Sequence, residues 1–224
     1  MTEVVLDRKV GGSPDLDSYR RSREMRRVLY TAQQSIGAVA DSLGNSNRSR
    51  KRVGQTFERL ILLLVQHAGA VCESRTVVLP VPGHPGHSMK YELDLVISRR
   101  GAALAGDTPI VRGEVIGSVK TTSKDRIDKM FLDKQMLSKL LGWDVPVIGV
   151  FLHDVQRARR ANSIFGIAST FKRNHFLGYS VALGALEGVY FVDPRPEMET
   201  DAALSSRIRG IEQLFLEDLR HLLG

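Results

Sequence analysis

The chain has 224 residues, 42% of them hydrophobic and 25% charged, the mixture of a soluble globular protein long enough to bury the core of one large domain. Lysine and arginine outnumber aspartate and glutamate by 32 to 25, for a net charge of +7, which favours a polyanionic partner such as nucleic acid through attraction and counterion release. The longest strongly apolar run, LILLLV at 60–65, is far too short for a membrane span, and the lone Cys72 excludes an intrachain disulfide framework or a cysteine metal site.

The start, MTEVVLDRKVGG, lacks the basic-then-apolar order of a signal peptide, so a cytoplasmic protein is expected. Residues 14–44 read as a helix, with Met25, Leu29, Ile36, Val39 and Leu43 at helical spacing and five arginines in its first half. GNSNRSRKRVG at 44–54 reads as a polar, basic link, either a solvated loop or a segment gripping a phosphate backbone. A division follows from it, into a basic N-terminal helical segment at 1–53 and a main domain at 54–224. The main domain opens with a helix, QTFERLILLLVQHAG, stopped by Gly69. Strands are predicted at 70–80, 90–99 and 110–120, an amphipathic helix from 123 to 142, and an apolar strand at 145–154. Beyond these come a helix around 161–174, strands near 177–182 and 188–192, and a last helix at 202–223. The order predicts an α/β protein with a mixed central sheet flanked by helices.

Two predicted strands carry chemistry where a core is expected. Alternation puts Glu92 and Asp94 on one face of KYELDLVISR, with Leu93, Leu95 and Ile97 opposite. The same rule groups Glu114, Ile116, Ser118 and Lys120 in GEVIGSVK. If the strands form a hairpin, a carboxylate, a hydroxyl and a lysine converge at adjacent strand ends. Such a group can hold Mg²⁺, which takes a few carboxylate oxygens and keeps several waters, with a lysine beside it to handle the attacking water. The competing reading is a pair of exposed strand faces joined by a salt bridge. Glu114 lies early in its strand and is assigned a peripheral place. His84 and His87 in GHPGH have no further ligands nearby in sequence, and His153 and Asp154 point to opposite faces of their strand. No glycine-rich phosphate loop is present, which argues against nucleotide hydrolysis.

ELDLVI, a loop and then GSVKTTSKDR resemble the metal site of the PD-(D/E)XK nuclease superfamily. More narrowly, SVKTTSKDR is similar to type II restriction endonucleases that recognise CCGG or CCWGG sites, in which Ser or Cys replaces the second acid. The resemblance covers roughly residues 54–152. It implies that a carboxylate thirteen or fourteen positions after the lysine, on the following helix, takes over the missing acid's role. Here that residue is Asp133, where the group carries Glu; and Leu93 stands where the superfamily name has Pro. On a helical wheel Asp133 falls on the flank of the buried face, although Lys129, one turn earlier, could simply pair with it. The resemblance further implies a helix glutamate near the metal, Glu58, which could instead be solvent-facing and paired with Arg52 or Arg59. It also implies base readout by Lys124, Asp125 and Arg126. Lys and Arg suit guanine O6 and N7, and Asp suits cytosine N4, although Thr122 and Asp125 also resemble a capping box.

The expected function is therefore Mg²⁺-dependent cleavage of double-stranded DNA at a short, G:C-containing palindrome, giving 5′-phosphate ends. Asp94, Ser118, Lys120, Asp133 and Glu58 are the catalytic candidates, Asp94 and Asp133 the metal ligands, and Lys124, Asp125 and Arg126 the DNA contacts. Two-fold symmetric DNA implies a homodimer, with a tetramer as the alternative and no membrane. The alternatives are a repair or junction-resolving nuclease of the same fold and a non-catalytic DNA-binding module.

Overall fold

A computed structural model of the chain describes residues 24–42, 46–99, 109–123, 126–157 and 167–224. Helices α1 (Glu24–Asp41) and α2 (Ser46–His67) lead into strands β1 (Val71–Pro80), β2 (Ser88–Ser98) and β3 (Val115–Thr122). Helix α3 (Ile127–Leu141) then connects β3 to β4 (Val147–His153). A small two-stranded sheet, β5 (Val155–Arg157) with β6 (Ile167–Ser169), precedes α4 (Arg173–Ala182) and β7 (Gly188–Phe191). Short helices α5 (Pro196–Thr200) and α6 (Ala202–Ser205) and strand β8 (Ile208–Gly210) lead to the last helix. That helix, α7, runs through Ile211–Gln213, a π-helical stretch Leu214–Asp218 and Leu219–Leu222.

The main sheet has the order β1-β2-β3-β4-β7-β8. The first three strands are antiparallel, and β3, β4, β7 and β8 run parallel. This is the mixed sheet flanked by helices that the sequence predicts. Six of the seven residues of β4 are buried, because a parallel strand in mid-sheet is covered on both faces and must be apolar on both. One face carries α1, α2 and α7, whose Met25, Phe57, Ile61, Val65 and Ile211 pack on Leu95, Ile97 and Val119. The other carries α3 and α4, whose Met130, Phe131, Leu137 and Phe176 pack on Val96, Ile116 and Phe151. Helix α3 lies close on β4: a Cβ on Gly149 would come within 2.8 Å of the Met130 sulfur. Gly142, at φ 76°, ends α3 in the left-handed conformation and donates its N–H to the Ser138 carbonyl at 2.9 Å, a turn for which glycine pays no Cβ penalty.

Several expectations are corrected. Residues 46–54 are helical rather than a link, so the boundary between 53 and 54 falls inside α2. The early turns of α2 are fastened to α1 by Ser49 Oγ on the Ala40 carbonyl (2.6 Å) and Gln33 Nε2 on the Val53 carbonyl (3.0 Å). Tertiary contact of this kind outweighs the poor helix propensity of Ser, Asn and Gly. Residues 173–182 form α4 where a strand at 177–182 is predicted, and 167–169 form β6 inside the predicted helix at 161–174. The last helix is also interrupted: β8 occupies 208–210 as the outermost parallel strand.

Candidate active site

Strands β2 and β3 pair through Leu95↔Gly117, Val96↔Ile116 and Ile97↔Val115, and part beyond Leu95 and Gly117. Asp94 stands at this fork. On its other side the β1–β2 ladder slips: Glu73 faces Val96 and Arg75 faces Leu93, so Asp94 and Leu95 together oppose Ser74. Such a bulge breaks strict alternation and re-aims a side chain. The expected grouping of Leu93 with Leu95 and Ile97 accordingly fails. Leu95 and Ile97 pack under α2, whereas Leu93 joins Val96 on the α3 side.

One oxygen of Asp94, Oδ2, gathers three donors from β3: the Val119 N–H at 2.9 Å, the Ser118 hydroxyl at 3.1 Å and the Lys120 ammonium at 2.5 Å. The N–H that would have continued the sheet thus holds the carboxylate instead. Lys120 also reaches Glu58 Oε1 of α2 at 3.4 Å. Burial, and repulsion from Asp94, push the Glu58 carboxyl above the usual carboxylate range, with Lys120 opposing the shift. The Glu58 side chain pairs with Lys120 rather than with Arg52 or Arg59.

Asp94, Ser118, Lys120, Arg126 and Asp133 line one cavity of about 230 Å³ between the fork and α3. Asp94 also lines a second, of about 360 Å³, with Glu58, Arg59 and Arg75 on the α2 side. Glu92 borders both. The fork therefore gives one carboxylate access to both faces of the sheet. Asp133 sits on the flank of α3 with its side chain 22% exposed, and its two oxygens accept from Lys129 Nζ at 2.6 and 2.9 Å. The i,i+4 pairing and the place on the cavity wall hold together.

Arg126 occupies the N-cap position of α3 without capping it through its side chain, and that side chain is exposed at the cavity. Thr122 still belongs to β3, so the helix does not begin with a Thr122 capping box. Lys124 and Asp125 lie outside the described residues. Glu114 is not part of the fork. It is buried in a bidentate pair with Arg75 (2.7 and 3.0 Å) and accepts the Val111 N–H at 2.9 Å. Asp154, also buried, fastens β6 by accepting from Ser169 Oγ at 2.6 Å. His84 and His87 are exposed in their loop, edge to face.

Tyr91 is the neighbour that sequence reasoning misses. Its hydroxyl accepts from Lys129 Nζ at 2.9 Å, and its ring centre lies 5.1 Å from the same ammonium. Burial raises its phenol, and the carboxylates of Asp133 and Asp94 raise it further. It thus stands within the field of both acids. Nothing local in sequence links a β2 tyrosine to the first turn of α3.

The mixed sheet flanked by helices matches the fold of restriction endonucleases. The chain is similar to the solved type IIP restriction endonuclease Kpn2I, with a TM-score of 0.67 at 18% identity, over 99% of this chain and 69% of that one. It is also similar to the restriction endonuclease PspGI, solved in complex with substrate DNA, with a TM-score of 0.52 at 15% identity, over 92% of this chain and 75% of that one. No protein-family model and no curated protein sequence matches the chain.

Proposed function

We propose that the protein is a type II restriction endonuclease that hydrolyses double-stranded DNA at a short, G:C-containing palindrome, using Mg²⁺ and leaving 5′-phosphate ends. The observation that carries this reading is the fork. One carboxylate, Asp94, is held by a backbone N–H, a hydroxyl and a lysine, and shares a cavity with Asp133.

The donor set suits the ion. Among the described residues no three His, Cys, Asp or Glu side chains form a ready-made metal cage. Magnesium, however, is commonly bound through one or two carboxylates together with water and substrate phosphate. Two carboxylates and a hydroxyl, with no soft donor, fit that hard cation. Asp94 and Asp133 would hold it, and when bound it would polarise the phosphoryl oxygens and acidify a bound water. The residues of the chain do the rest. Ser118 and the Val119 N–H fix the Asp94 carboxylate, Lys120 holds the attacking water, and Glu58 balances the Lys120 charge from the opposite face. Water adds to phosphorus as the bond to the 3′-oxygen breaks, and a proton passes to that oxygen, giving the 3′-hydroxyl. Arg126, beside the cavity, and Lys124 donate to guanine O6 and N7, and Asp125 accepts from cytosine N4. A palindromic site calls for a homodimer, one fork per strand.

The test is digestion of plasmid and branched DNA of known sequence with Mg²⁺, followed by end mapping. Discrete fragments that share one short sequence at their ends support the reading. Cutting confined to branched DNA would indicate a junction-resolving enzyme, and binding without cutting a DNA-binding module.

A further inference from the structure

Two ammonium groups already occupy the acids of the fork. Lys120 sits on Asp94, and Lys129 sits on Asp133 with both carboxylate oxygens engaged. The two differ in what else holds them. Lys120 belongs to the strand that carries the catalytic candidates. Lys129 reaches in from the exposed side of α3, its side chain 54% exposed. It has a second seat in Tyr91, whose hydroxyl lies at 2.9 Å and whose ring centre at 5.1 Å. Its ammonium can therefore leave one carboxylate oxygen without becoming unpartnered.

We propose that Lys129, seated on Tyr91, is an internal counter-cation that holds Asp133 in position and competes with the divalent ion for it. Lys129 is thus a positioning residue that acts through Asp133. The inference rests on the nuclease reading, in which Asp133 is a metal ligand. Its physical content is a sign. A positive charge at a ligand carboxylate lowers the affinity of that carboxylate for a second cation, so removing the charge should tighten metal binding, whereas loss of a structural prop would loosen it. A half-exposed ion pair is weak, so the expected change is about two- to fivefold.

The experiment is Mn²⁺ binding by the DNA-free full-length protein, read by calorimetry or electron paramagnetic resonance, with thermal melting to verify the fold. Lys129→Met should bind Mn²⁺ about two- to fivefold more tightly than the unchanged protein, and Lys129→Arg, which keeps the charge, should bind it as the unchanged protein does. In an Asp133→Asn background the difference between Lys and Met at 129 should vanish, because a double-mutant cycle isolates the pairwise term. Unchanged or weaker binding by a folded Lys129→Met overturns the inference. So does an equal gain in the Asp133→Asn background, which would mark Lys129 as part of the general field alone. If the unchanged protein binds no Mn²⁺, or Asp94→Ala binds it equally well, the inference falls, while the nuclease reading is decided separately by Mg²⁺-dependent cleavage of DNA.

Discussion

Two acid–base clusters lie along the same three strands and are built in opposite ways. Glu114 and Arg75 are closed: their side chains are 3% and 5% exposed, both carboxylate oxygens meet guanidinium nitrogens, and a backbone N–H takes up further capacity. Asp94 and Lys120 are open, at 20% and 28% exposed. There, three donors crowd on a single oxygen, and cavities open on both sides. A closed pair has no capacity left for a ligand, and removing one partner strands the other charge. An open pair forgoes that closure and keeps coordination capacity for a metal or a water. Burial and saturation, rather than the mere presence of a strand acid, separate a closed structural carboxylate from one left open to a ligand.

The largest effect expected from this contrast is in the open cluster. Lys120→Ala and Asp133→Ala should each lower Mg²⁺-dependent cleavage by roughly 10³-fold, the equivalent of several kcal/mol of lost transition-state stabilisation. Melting should shift little, and Asp133→Glu should retain part of the activity. The closed cluster should do the reverse. Arg75→Ala should destabilise the fold by about 3–5 kcal/mol in denaturant melts, as expected for a buried charge left unpaired. A mild effect there would break the comparison. Next comes Arg126→Ala, which should weaken specific DNA binding by about 1–3 kcal/mol in Ca²⁺ and relax preference at one base pair. An equal loss on specific and non-specific DNA would make Arg126 a phosphate contact instead.

The smallest effect concerns pH. Because burial and Asp94 raise the Glu58 carboxyl, the native state holds that proton more tightly than the unfolded chain does. The raised group therefore supports the fold fully below the unfolded value and loses that contribution as pH rises through its folded value. Glu58→Gln should accordingly gain stability relative to the unchanged protein as pH climbs from about 4.5 to neutrality, the lower bound being the ordinary carboxylate range. Melts at both ends of that window would check the sign.

Much of the fold was legible because its signals are local. The continuous apolar run of β4 marks a mid-sheet strand, and the stripe Phe57, Ile61, Val65 marks the buried face of α2. Alternation puts Ser118 and Lys120 on one face of β3, the hairpin of β2 with β3 brings Asp94 to them, and the helical wheel places Asp133 on the flank of α3. Long-range determinants were not legible. The slip opposite Ser74 depends on how β1 pairs with β2, and β8 exists only because β7 offers a parallel edge. Gly210, at the end of β8, leaves no room for a Cβ beside the Arg26 guanidinium, which is itself fixed by Glu212 and Glu199. Helix α4 combines a modest apolar pattern with Phe and Tyr, which favour strands, and contacts of Phe176 and Tyr179 with Phe131 fix it as a helix. Tyr91 escaped notice for the same reason: its partners lie on α3, 38 positions or more along the chain.

The most direct test is Asp94→Ala, measured in parallel for single-turnover DNA cleavage with Mg²⁺, DNA binding with Ca²⁺ and thermal melting. The fork account predicts that cleavage disappears while the melting transition remains that of a folded protein and DNA is still bound. Cleavage at the unchanged rate by a folded Asp94→Ala would contradict it.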